Sequence, residues 1–256
     1  MRIIISPAKK MNTDTDSLPY ERLPQFLGEA EKLQRRLRGM DYAGLKSLWR
    51  CNASIAAFNY KRVQTMDLRS NLTPAILAYE GIQYQYMAPS VFEDRQFAYI
   101  GEHLRILSGF YGLLRPFDGV TPYRLEMQAR LPVDGYKNLY AFWGDRLARQ
   151  LRAETGFILN LASKEYSKAV SAHLPENVRF LACTFGELKE GKVIEKGTMC
   201  KMARGEMVRW LAENSITNPA DIKGFDRLRY TYREELSSHD HFVFIKKGGT
   251  KDPASW

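Results

Sequence analysis

Residues 103–127, HLRILSGFYGLLRPFDGVTPYRLEM, combine a Gly-x-x-Gly turn (Gly109, Gly112) with three arginines, two prolines and two tyrosines. Glycine lets backbone approach a ligand or another chain, because no Cβ stands in the way. Arginines beside such a turn offer fixed forks of donors for phosphate or carboxylate. The segment therefore reads as an anion site, with nucleic acid the leading candidate. Ser108 through Gly112 would supply the turn's amides, Tyr111 lies within it, and Arg115 is a neighbouring cation.

Other polar clusters fall at the ends of expected elements. Lys9 follows Ser6-Pro7-Ala8 at the mouth of the first strand, where open sheets often hold ligands; an exposed lysine reads the same way. Arg124 and Glu126 alternate after Pro122, as a structural ion pair or a catalytic one. Asn160 sits in an otherwise apolar strand and must find partners. Ser163 can cap the helix that follows, whose amino end favours an anion, with Lys164 and Lys168 one turn apart beyond it. Lys201 and Arg204 repeat that spacing, and a solvated helix face accounts for them as well. Lys9, Arg124, Glu126, Asn160, Glu165 and Lys168 are the residue types for phosphate clamping and acid–base work.

Several common machines are missing. No G-x-G-x-x-G, Walker loop, H-E-x-x-H or G-x-S-x-G occurs in the chain, which disfavours dinucleotide oxidoreductases, ATPases, zinc proteases and serine hydrolases. His239 and His241 share one face of a strand, but two histidines seldom make a metal site. Neither a metal nor a cofactor is expected. Cys51, Cys183 and Cys200 are too scattered for a disulfide framework or a zinc knuckle. Cys200 has cations close in sequence, Lys201 and Arg204, that could activate a thiol.

The 256 residues are 45% hydrophobic and 26% charged, an ordinary globular composition with enough apolar material for a core. A formal charge of +9 favours polyanionic partners, although a basic enzyme can carry it idly. No run approaches membrane-span length, and MRIIISPAKK lacks the pattern of a secretory signal. The expected compartment is the cytoplasm, with no membrane partner.

The elements that position these residues can be read from spacing. Residues 2–6 predict a buried strand. Pro24 to Gly39 predicts a helix, and Asp41 and Asn52 are N-caps for two more. Residues 76–79 predict a strand. Ser90 and Glu93 form a capping-box pattern whose helix would carry Phe97, Ile100, Leu104 and Leu107 to Gly109. One helix is expected over 139–153, a strand over 157–161, a helix over 165–170, a hairpin around Glu190-Gly191, a helix over 201–213, and closing strands at 228–232 and 241–245. Without a regular βαβ alternation, the expectation is an α+β fold: a single domain over 1–247, with a mixed β-sheet surrounded by helices and a loose tail over 248–256.

ISPAKKM at the start, LRILSGFYGLLRPFDGVTPYRLEM in the middle, LYAFWGD at 139–145, LNLASKEYSKAV at 159–170 and KMARGEM at 201–207 together resemble the YaaA family of bacterial peroxide-stress proteins. That resemblance spans almost the whole chain. It implies a slice-shaped fold of its own type, with a helix-hairpin-helix-like element beside a basic cleft. It also implies binding to double-stranded DNA and an effect on intracellular iron during peroxide stress. The DNA-binding set carried by the matching blocks and their neighbouring cations is Lys9, Ser108, Gly109, Tyr111, Gly112, Arg115, Arg124, Lys164, Lys168, Lys201 and Arg204. Two departures stand out. Tyr79-Glu80-Gly81-Ile82-Gln83-Tyr84 lacks the family's aspartate after the glycine, and Gln128 stands where a glycine usually follows the Glu-Met pair.

Two functional expectations follow. One is a non-catalytic protein that grips duplex DNA largely independently of sequence. The alternative is an enzyme acting on a nucleotide, nucleobase or nucleic acid with the same Lys/Arg/Glu/Asn cluster, which leaves room for a small anionic ligand.

Overall fold

The computed structural model describes residues 1–247; the tail expected over 248–256 lies outside the described residues. The strands are β1 (Arg2–Ile5), β2 (Lys10–Met11), β3 (Thr73–Pro74), β4 (Tyr79–Glu80), β5 (Leu104–Ser108), β6 (Gly112–Leu114), β7 (Gly119–Val120), β8 (Phe157–Asn160), β9 (Arg179–Lys189), β10 (Lys192–Ile194), β11 (Tyr230–Tyr232) and β12 (His241–Lys246). The α-helices are α1 (Leu27–Arg38), α2 (Tyr42–Trp49), α3 (Ala53–Thr65), α4 (Ala75–Ala78), α5 (Ile82–Met87), α6 (Asp94–His103), α7 (Leu139–Trp143), α8 (Arg146–Glu154), α9 (Lys164–Ser171) and α10 (Gly197–Glu213).

The main sheet runs β11-β12-β9-β8-β1-β5-β6, with β10 paired to β9. It is mixed, as expected, and one hydrophobic core underlies it. Its centre is more orderly than an α+β reading implies. The five strands β12, β9, β8, β1 and β5 are mutually parallel, while β6, β11 and β10 pair antiparallel. From β8 onward the parallel strands do alternate with helices, as β8-α9-β9-α10-β12, with the antiparallel β10 and β11 inserted between them. The unbroken run Ile3-Ile4-Ile5 is fully buried, as a parallel strand covered on both faces requires. In register, Ile3 faces Leu104 of β5 and Leu159 of β8.

Side-chain caps set several helix starts, although Ser163, at the N-cap of α9, makes no capping side-chain bond. Asp41 accepts the Gly44 N–H at 2.7 Å and Asn52 the Ile55 N–H at 2.9 Å. Four expectations are corrected. Residues 75–78 form one helical turn before β4 instead of a strand. The capping box of α6 uses Glu93 and Gln96, the Glu93 N–H donating to Gln96 Oε1 at 2.7 Å, not Ser90 and Glu93. The helix expected over 139–153 breaks at Gly144, whose φ of +50° gives two shorter helices.

The fourth correction bears on function. Helix α6 ends at His103, and Leu104–Ser108 continues as a strand buried along its whole length. The Gly109–Gly112 turn joins β5 to the antiparallel β6. This segment is therefore a β-hairpin, not a helix-hairpin-helix element. A fully buried apolar run satisfies helical and extended patterns alike, and here the pairing with β1 decides.

Two glycines fix how the outer pieces seat. A Cβ on Gly109 would lie 2.6 Å from Leu125 O, so the 125–127 backbone crosses directly over the turn. A Cβ on Gly205 would lie 2.0 Å from Gln83 O, so α10 and α5 pack backbone to backbone. We expect Gly205→Ala to force these helices apart and cost about 2 kcal/mol, read as a lower urea midpoint with an unchanged slope. An unaltered midpoint would mean the contact is easily relieved.

Candidate functional site

The exits of β1 and β8 lie side by side at the carboxyl edge of the parallel strands. The Ser163 N–H donates to Ser6 Oγ at 2.9 Å, and Ser6 Oγ lies 3.3 Å from Ser163 Oγ. Tyr84 donates its hydroxyl to Ser6 O at 3.1 Å, which brings α5 to the same edge. Beyond this junction opens a cavity of about 420 Å³. Its walls come from the β1 exit (Ser6 to Lys10), the β4–α5 turn (Glu80 to Tyr84), Glu126, the start of α9 (Ser163, Glu165, Tyr166) and α10 (Lys201, Arg204). Open parallel sheets bind ligands at this position, where neighbouring strands send their chains in opposite directions.

The cavity holds both signs of charge. Lys9 Nζ lies 2.9 Å from Glu126 Oε2, and Arg124 reaches the other carboxylate oxygen at 3.7 Å. Glu165 accepts the Gln128 N–H at 3.2 Å. Burial raises the Glu165 pKa above the usual carboxylate range and the nearby Glu126 adds to the rise, while backbone N–H groups and Lys9 oppose it. Lys10 is paired with Glu80. Lys201 and the half-buried Arg204 have no hydrogen bond or ion pair among the described residues. Two buried side-chain donors in these walls, Arg204 Nε and Gln83 Nε2, lack an acceptor.

Behind the cavity lies a rigid polar chain. Tyr79 OH meets Tyr123 OH at 2.8 Å, and Tyr123 OH meets Ser108 Oγ at 2.6 Å. All three side chains are buried, and burial pushes the Tyr123 hydroxyl up to about 12. They tie β4, the hairpin and the segment leading to Glu126 into one unit.

Of the residues singled out in the sequence, Lys9, Glu126, Glu165, Lys201 and Arg204 meet at this cavity, and Arg124 joins through Glu126. The others are placed elsewhere or used internally. Ser108 Oγ accepts the N–H groups of Phe110 and Tyr111 at 3.1 and 2.8 Å, so the turn spends these amides on its own serine. Tyr111 is fully buried, with its hydroxyl accepting the Thr121 N–H at 3.2 Å. Gly112, at φ +75°, lies under Trp143. Arg115 lines cavities with Arg2, Arg105 and Glu154, toward the amino ends of the strands. Asn160 Oδ1 accepts the Ala162 N–H at 2.9 Å and shapes the β8 exit. Lys164 and Lys168 are exposed on α9, and the Lys168 ammonium sits 5.5 Å from the centre of the Tyr140 ring.

The sequence marks residues 79–84 only as a departure from the family pattern, whereas Glu80, Gln83 and Tyr84 form a wall of the cavity. The available signal was Gly81, where a Cβ would come within 3.1 Å of Ala8 Cβ and loosen the seating of the β4–α5 turn on the β1 exit.

The two buried thiols, Cys183 and Cys200, are not primed as nucleophiles. Burial pushes Cys183 up to about 12; burial together with Glu195 pushes Cys200 up to about 11. His241 Nε2 contacts Thr184 Oγ1 at 2.9 Å. Among the described residues no three His, Cys, Asp or Glu side chains gather where they could hold a metal ion, and no helix is long and apolar enough to cross a membrane.

Comparison with known proteins finds similarity along nearly the whole chain. The family described as peroxide stress protein YaaA matches residues 1–236. A UPF0246 protein of Desulfitobacterium hafniense is 57% identical over 246 residues, covering 96% of this chain and 98% of its own. UPF0246 proteins of Lachnoclostridium phytofermentans and Pediococcus pentosaceus are 54% and 53% identical, again over 96% of this chain and over 96% and 98% of theirs.

The raised Glu165 pKa means that the folded protein holds this proton at pH values where the unfolded chain has released it. Stability from this group therefore falls as pH rises through that window. We expect Glu165→Gln to raise the thermal midpoint at neutral pH, with the gain vanishing near pH 4. A variant less stable at both pH values would contradict the stated cause. For the thiols, Ellman's reagent on the native protein should label half-buried Cys51 ahead of Cys183 and Cys200.

Proposed function

Because the chain belongs to the YaaA family of peroxide stress proteins, we propose that it contributes to peroxide protection by binding nucleic acid in the cytoplasm, at the cavity between the β1 and β8 exits. The observation that carries this reading is Arg204: a half-buried guanidinium in the cavity wall, without a protein counterion among the described residues. A partly desolvated cation is costly until an anion meets it. Lys201, one turn away, adds a second cation without a partner among the described residues. A cavity of about 420 Å³ is the size of small-ligand sites and can hold one nucleotide unit. In this arrangement phosphate meets Lys201 and Arg204, while Glu126 and Glu165 accept hydrogen bonds from base N–H groups. The net charge of +9 draws a polyanion to the surface, and backbone contacts of this kind are independent of sequence. Duplex DNA is the expected partner in bulk. The effect on iron is then indirect, a consequence of binding nucleic acid and not of holding the metal.

A second reading is favoured by the carboxylates. Glu165 has a raised pKa and Glu126 is paired with cations, the division of labour that separates a general acid from a general base. On this reading the bound nucleotide unit is also a substrate. Its test is chromatography of nucleotides and oligonucleotides incubated with the protein: a product that disappears in Glu126→Gln would establish catalysis.

The binding proposal is tested by fluorescence anisotropy of a labelled duplex across a salt series. Lys201→Ala and Arg204→Ala should each weaken binding and lower the salt slope by about one unit. Arg115→Ala, placed among Arg2, Arg105 and Glu154, should leave both nearly unchanged. Weakening by Arg115→Ala alone would move the interface away from this cavity.

A further inference from the structure

A second cavity of about 600 Å³ adjoins the first, and Lys9 and Glu126 line both. Their ion pair is a bar between the two hollows. The far side is formed by the end of α2, by Arg50 and by the loop carrying Arg130. Arg50 closes α2 in the left-handed conformation, with φ 46°. Arg50 and Arg130 are exposed, and neither side chain has a hydrogen bond or ion pair among the described residues. Leu48 contributes apolar surface. Trp49, only 3% exposed, stands in the wall, and its Nε1–H has no acceptor.

The two hollows thus repeat one chemistry: a pair of cations without a hydrogen bond or ion pair among the described residues, and a shared wall at the Lys9–Glu126 ion pair. Resting on the nucleic-acid reading of the first cavity, we propose that the second is an adjoining subsite, and that the ligand is an unpaired stretch of nucleic acid at least two nucleotides long. Successive phosphates meet Lys201 with Arg204 and Arg50 with Arg130, while Glu126 faces the sugar or base between them. A stacked duplex shows its bases only as groove edges. Filling two concave hollows requires bases released from the stack, as in single-stranded segments and flipped nucleotides. The second hollow gives the site a direction along the strand, which a lone anion pocket lacks.

The test measures binding of the full chain to the 5′-phosphorylated thymidine mononucleotide, the corresponding dinucleotide, a five-nucleotide thymidine strand and a blunt duplex. The dinucleotide should bind at least about tenfold tighter than the mononucleotide, because its second unit binds as a tethered neighbour. The Arg50→Ala/Arg130→Ala double variant should lose that gain. Equal affinity for the two short ligands, both still weakened by Arg204→Ala, would overturn the second subsite and leave the first. A duplex bound more tightly than the five-nucleotide strand would overturn the preference for unpaired nucleic acid. No binding of any of the four would remove both readings.

Discussion

Everything at the candidate site depends on β1 being held in parallel between β5 and β8. Its three isoleucines are covered on all sides, so the strand can exist only in the middle of the sheet. The chain leaves β1 and returns first at β5, then crosses to β8 on the other flank. At the carboxyl edge the two exits therefore diverge, and no connection fills the gap between them. The cavity is this gap, closed by the Ser6–Ser163 hydrogen bonds on one side and by α5 and α10 above.

Close backbone contact turns that gap into a shaped site. Gly109 lets the 125–127 segment lie directly on the hairpin, which holds Glu126 over the exit of β1. Gly205 lets α10 descend onto α5, which brings Lys201 and Arg204 to the opposite wall. Neither glycine touches the proposed ligand. Both act by removing a side chain from a place where two backbones must meet. The buried Tyr79, Tyr123 and Ser108 chain stiffens the same region, since a hydroxyl there that lost its partner would be left unsatisfied.

The charge pattern separates support from function. Arg105 is buried, and its guanidinium is occupied by Glu154 and by main-chain carbonyls. Arg2 shares the same carboxylate. These cations hold the amino ends of the strands together. Lys201, Arg204, Arg50 and Arg130 have no such internal duty among the described residues, and they lie around the two adjoining cavities. The distinction is invisible in the net charge, which counts both kinds alike.

Much of the fold was legible in the sequence because it follows from local rules. The isoleucine run, the caps at Asp41 and Asn52, the Glu190-Gly191 hairpin and the short strand before Ser163 each depend on neighbouring residues alone. The resemblance carried by the ISPAKKM, LASKEYSKAV and KMARGEM blocks also pointed to Lys9, Glu165 and Arg204. What sequence could not decide was pairing. Leu104 to Ser108 fits a helix until β1 offers it a partner, and the Gly-x-x-Gly turn passes for a phosphate cradle until Ser108 is seen taking its amides. Arg115 and Arg204 read alike as basic residues, yet one sits near the amino ends of the strands and the other in the cavity wall. Composition and spacing determine which elements form. Only the folded backbone and the contacts it brings together determine which polar groups are consumed inside the protein and which are left facing a ligand.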